Sequence, residues 1–242
     1  RCARRDAAQG PGRFFTVTAA TTLLAALVFL AAPSAAGVAP TPPPAGSPSA
    51  IVSDTMAQRM QACTPCHGAE GRAARDGYYP RIAGKPAGYL YEQLRSFRDG
   101  RRNQAAMTHL LAHLSDDYLM ALAEYFASLD LPHDPPQPAA ADPATLARAR
   151  QLVLQGDRAR RLPACADCHG ERLTGVRPAV PSLLGLPRDY LNAQLGAWRT
   201  GTRVAREPDC MAEVARRLAP EDIAALSAWL AAQPVPVPAT PA

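Results

Sequence analysis

The chain has 242 residues, of which 48% are hydrophobic and 19% are charged, and its formal net charge is +5. Four arginines and one aspartate lie within the first 36 residues, so the rest of the chain holds 22 basic and 20 acidic residues. A charge so close to balance argues against a nucleic-acid partner, and the length allows one or two domains.

The N-terminus has the pattern of an export signal. The four arginines precede an apolar stretch over residues 14–32, and Ser34 and Ala36 then supply the small side chains that favour cleavage after Ala36. We therefore predict a signal peptide over residues 1–36 and a periplasmic location. The alternative is an uncleaved membrane anchor, because about 18 apolar residues can just span a bilayer.

Proline-rich segments divide the rest of the chain. Residues 37–50 and 234–242 are rich in Ala and Pro, and we predict that both are disordered. Residues 132–141 contain four prolines, which predicts a semi-rigid linker. Two small domains remain, over residues 51–131 and 142–233. Domains of this size bury little apolar surface, so a large apolar group tied to the chain would stabilise them.

A C-x-x-C-H motif occurs once in each domain. Its members are Cys63, Cys66 and His67 in the first domain and Cys165, Cys168 and His169 in the second. This spacing is typical of c-type haem attachment, because the two thiols can add to the vinyl groups of one porphyrin while the His binds its iron. A zinc half-site, a redox dithiol and a disulfide are the alternatives. The recurrence of the whole motif, with a glycine after each His, favours two covalently attached haems.

The two domains are repeats of one another. The pattern Tyr-Leu-x-x-Gln-Leu, then Phe or Trp, then Arg-x-Gly-x-Arg begins at Tyr89 and again at Tyr190. In each copy a proline in the first turn, apolar residues at helical spacing and a glycine at the end predict a helix, over residues 86–100 and 187–201. We expect the apolar stripe of this helix to lie against the haem.

The remaining predicted helices flank this one. One helix precedes each motif, clearly over residues 145–155 and more weakly over 53–62. The closing helices begin after Ser115 and Ala219, where acidic residues or a proline suit a first turn. The buried faces of the closing helices are predicted to be Leu119, Leu122 and Phe126 in the first domain and Ile223, Leu226 and Leu230 in the second.

One methionine precedes each closing helix at an equivalent position of the repeat, Met107 in the first domain and Met211 in the second. We predict that these are the second axial iron ligands, because a thioether raises the reduction potential and occupies the position that oxygen would need. The alternative is that each fills space in a core. Cys210 could compete with Met211 as a thiolate, and His109 could compete for the first iron.

In its motifs, helix order and late methionines, the chain over residues 53–232 resembles the diheme c-type cytochromes of the cytochrome c4 kind, each half being similar to a class I cytochrome c domain. The resemblance implies an all-α fold of two tandem haem domains related by a pseudo-twofold axis. It also implies a periplasmic carrier that shuttles single electrons from a membrane quinol-oxidising complex or a dehydrogenase to a terminal oxidase or other acceptor. Its expected partners are redox proteins that dock transiently, and no residue marks a small-molecule substrate.

Two rival functions follow from the same residues. A membrane-anchored cytochrome subunit of a dehydrogenase or oxidase complex would keep residues 14–32 as an anchor and residues 37–50 as a stalk, with loose membrane association as the result. A diheme peroxidase-like enzyme would need one iron with an open coordination position, against which two equivalent methionines argue. We therefore expect an electron carrier without catalytic residues.

Overall fold

The described part of the chain is helical in both halves. The computed structural model describes residues 54–73 and 77–242, so the predicted signal peptide and the segment 37–50 lie outside it. Within these ranges the chain forms α-helices, short 3-10 turns and isolated β-bridges. The all-α fold class is therefore confirmed.

Each half presents its helices in the same order. In the first half, α1 spans Met56–Arg59, α2 Thr64–His67, α3 Ala87–Arg98, α4 Ala105–Leu111 and α5 Asp116–Ala127. In the second half, α6 spans Pro143–Gln155, α7 Ala166–His169, α8 Arg188–Thr200, α9 Cys210–Arg217 and α10 Pro220–Ala231. The helices predicted in the middle and at the end of each domain are present. The short helices α4 and α9, which carry the two methionines, were not predicted.

Capping explains where several helices begin. The Ser115 side chain accepts a hydrogen bond from a backbone N–H in the first turn of α5, at 3.2 Å. Asp142 does the same for α6 at 3.0 Å, so this helix begins at Pro143, two residues before the predicted start. The weak helix predicted over residues 53–62 is the single turn α1, which Thr55 caps, followed by a 3-10 turn over Met60–Ala62.

Each half has an apolar core of its own. In the first half α3 packs against α4 and α5, and in the second half α10 packs against α6 and α8. The faces predicted for the closing helices are buried: Leu119, Leu122, Phe126, Ile223, Leu226 and Leu230. Full burial of such a side chain contributes about 1.5–3 kcal/mol, so these contacts fix the position of each closing helix.

The linker and the C-terminal tail lie along the folded halves. The backbone N–H of Gln137 donates to the Ala231 carbonyl at 2.9 Å, and the Gln137 side chain accepts from the Arg188 N–H at 2.9 Å. The tail over residues 234–242, which the composition predicts to be disordered, ends in a backbone hydrogen bond from Ala242 to Gly175 at 3.1 Å. Backbone hydrogen bonds thus tether segments that have little apolar surface.

The two halves belong to one compact unit and meet at their equivalent arginines. Arg102 and Arg203 form an isolated antiparallel bridge, and the Val204 N–H donates to the Arg101 carbonyl at 2.8 Å. A second backbone hydrogen bond joins Gly88 to the Pro178 carbonyl at 3.1 Å. The last residue of the repeated Gly-x-Arg pattern therefore lies where the two halves join.

Side chains of the repeat complete this junction with approximate twofold symmetry. Arg102 donates to Gln93 at 3.1 Å and to Gln194 at 2.6 Å, while Arg203 donates to Gln194 and to Gln93 at 2.7 Å each. The guanidinium of Arg203 stacks 3.6 Å above the Trp198 ring, and that of Arg102 lies 4.5 Å from the Phe97 ring. These side-chain contacts thus stabilise the pseudo-twofold arrangement of the two halves.

A buried carboxylate fastens the second half. Asp222, at the start of α10, has no exposed surface and accepts hydrogen bonds from Arg148 on α6 at 2.8 Å and from Arg160 at 2.5 Å. It also accepts from the Ala219 N–H at 3.1 Å. Burial by itself would raise the pKa of Asp222, but the hydrogen bonds from Arg160 and Arg148 outweigh that effect and lower it.

Replacing this carboxylate should destabilise the second half. We expect Asp222→Asn to lower the free energy of unfolding by about 2–3 kcal/mol at pH 7, because charge-assisted hydrogen bonds contribute about 1.5–3 kcal/mol each and both arginines remain partly solvated. Chemical denaturation measures the loss. The folded pKa lies below the unfolded value of about 3.9, so the carboxylate stabilises the fold above that value and the difference shrinks as the pH falls through the folded pKa.

The control for this variant is Glu221→Gln, which changes the exposed neighbouring carboxylate on the same turn. It should change the free energy of unfolding by less than about 0.5 kcal/mol. Equal losses in the two variants would show that the charge at the helix start matters and the buried ion pairs do not.

Candidate haem-binding sites

The first C-x-x-C-H motif lies on a turn that ends in α2. Cys63 follows the 3-10 turn over Met60–Ala62, and Cys66 and His67 lie within the helix. Both cysteines are free and half-buried, and burial, with a smaller contribution from Cys66, raises the pKa of Cys63. The Cys63 thiol therefore lacks the low pKa that is typical of a redox dithiol.

The glycine after the motif has a geometric reason. Gly68 has a φ of +73°, and a Cβ at this position would lie 2.3 Å from the Ala73 carbonyl oxygen. The backbone of Ala73 turns back to donate to the His67 carbonyl at 2.8 Å. Only glycine meets both requirements, so the helix stops directly after His67.

The His67 imidazole is fixed by one hydrogen bond. Its Nδ1 lies 2.9 Å from the carbonyl oxygen of Pro80, which can only accept, so Nδ1 carries the proton and Nε2 has a free lone pair. Burial is the main cause that lowers the pKa of His67. A neutral, oriented imidazole is the form that binds iron.

A cavity of about 680 Å³ opens beside His67. Its walls are mostly apolar and come from α3, α4 and α5; they include Leu90, Leu94, Phe97, Leu122 and Phe126. Cys63 and Cys66 also line it, so both thiols and the imidazole reach one space. The volume falls within the range of cofactor pockets and far exceeds the small voids of a packed interior.

Met107 lines the same cavity as His67. It lies in the first turn of α4, where its backbone N–H donates to the capping side chain of Gln104 at 2.8 Å. Met107 stands forty residues after His67 in the sequence, and α4, which was not predicted, brings it to the same cavity.

One end of the cavity is polar and carries positive charge. Arg102 and Arg203 line it from the junction between the halves, and Lys85 and Tyr89 line it from the first half. Burial alone would raise the pKa of Tyr89, but the charges of Arg203, Arg102 and Lys85 bring it down to about 8. This end of the cavity suits an anionic group, whereas the remainder suits an apolar one.

The second motif has the same local geometry. Cys165 and Cys168 are free, and burial raises the pKa of Cys165 to about 11. His169 is buried, and its Nδ1 lies 2.8 Å from the carbonyl oxygen of Pro181, the repeat equivalent of Pro80. Met211 lies in the first turn of α9, which packs against α8 as α4 packs against α3. The candidate ligands of the two halves therefore occupy equivalent elements.

The residues that could compete as ligands are on the surface. His109 is exposed on α4, and His113 is exposed on the turn that follows this helix. Cys210 is exposed at the start of α9, next to Met211. Within residues 54–73 and 77–242 no cluster of three or more His, Cys, Asp or Glu side chains could hold a metal ion, so nothing there supports the zinc alternative.

A c-type haem fits the residues that are present. It would bring a flat apolar ring to the apolar walls, two carboxylates to the cationic end and an iron to His67. In the second half, the indole Nε1 of Trp198 is buried without a hydrogen-bond partner among the described residues, and a haem carboxylate could accept a hydrogen bond from it. The sequence analysis did not assign the polar residues of the junction to the haem site. The signal that could have found them is the presence of the same Gln and Arg in both copies of the repeat.

Comparison with known proteins supports the same assignment. The sequence profile of the family described as Cytochrome c matches residues 55–130 and 148–233. The chain is 40% identical over 173 residues to a thiosulfate dehydrogenase electron acceptor of Thiomonas intermedia, an alignment that covers 72% of this chain and 79% of that protein.

Two solved structures resemble the described fold. Reduced cytochrome c4 from Pseudomonas stutzeri matches with a TM-score of 0.64 and 29% identity, over 73% of this chain and 95% of that chain. A thiosulfate dehydrogenase from Marichromatium purpuratum matches with a TM-score of 0.64 and 35% identity over 71% of this chain. The match covers 36% of that longer chain.

The profile matches each half once, and the second half repeats the helices, the motif and the His–carbonyl hydrogen bond of the first. The resemblance to cytochrome c4 is confirmed by the solved structure. The chain therefore belongs to the cytochrome c family and is a two-haem electron-transfer protein similar to cytochrome c4, with one covalently attached haem in each domain.

Proposed function

We propose that this protein is a periplasmic carrier that passes single electrons through two six-coordinate haems. In this proposal Cys63 and Cys66 hold the first haem and Cys165 and Cys168 hold the second. The axial ligand pairs are His67 with Met107 and His169 with Met211. The observation that carries the proposal is the placement of His67 and Met107 on the walls of one cavity, together with both thiols of the first motif.

The protein's own residues set up this chemistry in three ways. The Pro80 and Pro181 carbonyls orient each imidazole and increase the basicity of Nε2, while burial keeps each imidazole neutral. The apolar walls exclude water from the first site, which favours the less charged ferrous form. The haem supplies the one-electron chemistry, and a methionine on its second axial position would leave no place for oxygen or peroxide. The partners are redox proteins, and we propose that they dock transiently.

Spectra of the purified protein test the ligand assignment. We expect two haems per chain, low-spin in both oxidation states, with no change when carbon monoxide is added to the ferrous protein. Met107→Ala should open one iron, so that about one haem in two binds carbon monoxide, whereas Met120→Leu, a half-buried methionine on α5, should behave as wild type. Ready binding of carbon monoxide by the unmodified protein would favour a diheme peroxidase-like enzyme.

We further propose a dehydrogenase as the electron donor, and specifically an enzyme that oxidises thiosulfate. The support is the name of the Thiomonas relative and the likeness to part of the solved thiosulfate dehydrogenase. The likeness to cytochrome c4 supports the more general role of an electron carrier, and we propose a terminal oxidase as its acceptor. A quinol-oxidising membrane complex is the alternative donor.

Rapid mixing distinguishes these donors. Purified thiosulfate dehydrogenase with thiosulfate should reduce both haems of this protein within its own turnover time, and omission of either component should abolish the reduction. A quinol-oxidising complex with a quinol is the comparison. Fast reduction by that complex alone would assign the protein to the quinol branch.

The periplasmic location depends on the fate of the N-terminus. Among the described residues, no helix has the length and apolar character needed to cross a bilayer, and residues 14–32 lie outside them. We expect mass spectrometry of the native protein to place its first residue at Gly37, directly after the predicted cleavage site. A native protein that keeps residues 14–32 and sediments with membranes would instead be the anchored subunit.

A further inference from the structure

Lys85 is the only lysine in the chain, and the other 25 of its 26 basic residues are arginines. It is also one of the most buried charged residues, with 8% of its surface exposed. A lone lysine buried in a chain of arginines calls for a specific role, because a compact ammonium is costly to remove from water.

The second half has no counterpart of this charge. In the repeat, Gly84-Lys85-Pro86 aligns with Gly185-Leu186-Pro187, and Leu186 belongs to the apolar core of the second half. Arg102 and Arg203, by contrast, are equivalent to each other and bond to the same two glutamines. Lys85 is therefore a buried charge that breaks the symmetry between the two sites.

The ammonium of Lys85 has no anionic partner in the described protein. It lines the cavity of the first half, and its Nζ lies 6.0 Å from the centroid of the Tyr89 ring. The ion pairs of the described residues do not include it. Burial is the main cause that lowers the pKa of Lys85; the neighbouring cations Arg81, Arg102 and Arg203 lower it further, whereas Tyr89 raises it.

The nearest anionic groups that such a cavity can take are the carboxylates of the haem itself. We infer that Lys85 binds a carboxylate of the first haem and raises the reduction potential of that haem selectively. This inference rests on the proposed placement of the first haem in the cavity with His67 and Met107. The electrostatic reason is that a fixed positive charge in a site of low dielectric constant favours the ferrous iron, which carries one positive charge fewer than the ferric iron.

The charge of Lys85 affects how electrons are distributed between the two haems. The extra charge makes the first haem a better electron acceptor than it would be with the Leu of the second half. The charge of Lys85 therefore lowers the free energy of an electron on the first haem, and an electron on the second haem gains less from it. The two domains, although built from one repeat, are thereby made unequal.

The test removes the charge and follows each haem separately. We expect Lys85→Met, with both haems attached, to lower the reduction potential of the first haem. The equilibrium constant for reduction of this haem by a one-electron redox buffer should fall about tenfold, which corresponds to 59 mV. The potential of the second haem should shift less. A redox titration followed by NMR of the haem methyl signals reports the two haems individually. Lys85→Arg should keep the potential high, and Arg199→Gln, which removes an exposed cation of α8, should leave both potentials unchanged.

A second measurement needs no variant, because a single lysine gives a single side-chain signal. In protein labelled with ¹⁵N-lysine, we expect a protected ammonium resonance that shifts when the first haem is reduced. A resonance that exchanges freely with water and ignores reduction would overturn the inference, as would equal potentials in wild type and Lys85→Met. A haem-to-protein ratio below two in the wild type would instead count against the proposed function.

Discussion

The first domain folds around a cavity of about 680 Å³, and the need to fill this cavity governs the rest of its structure. A protein interior is normally close-packed, so helices separated by such a space need a large group between them. The apolar faces of α3, α4 and α5 turn toward it, and the motif helix presents two thiols and an imidazole to it. A haem bound covalently satisfies this requirement, and it adds to each small domain the apolar contact area that its own chain is too short to provide.

The junction between the halves has a different role, because it holds positive charge at one end of the cavity. Arg102 and Arg203 are held over aromatic rings and bonded to Gln93 and Gln194, so their guanidinium groups stay ordered although they repel one another. Their charge lies at the polar end of the cavity, where the haem carboxylates would balance it. The same contacts that join the halves thus prepare the electrostatic surroundings of the cofactor.

Duplication followed by divergence explains how one repeat gives two different sites. The His–carbonyl hydrogen bonds, the glycine after each motif and the helix order are common to both halves. The charged positions near the cavity differ: Arg81 and Lys85 in the first half correspond to Ser182 and Leu186 in the second. A carrier with two unequal sites can take an electron from one partner at one end and direct it to the other end.

The sequence by itself determined the repeat, the attachment motifs, the closing helices and the family, because these depend on local spacing and periodicity. Leu119 and Ile223, for example, were predicted to be buried from the helical period alone, and both are. Only the tertiary structure decided how Arg102 bonds to Gln194 and Arg203 to Gln93, since these partners lie 92 and 110 residues apart in the chain. It also decided that Lys85 is buried beside the cavity with no carboxylate partner among the described residues. Nothing local marks a lysine as buried, because its burial depends on which surfaces the two halves bring together.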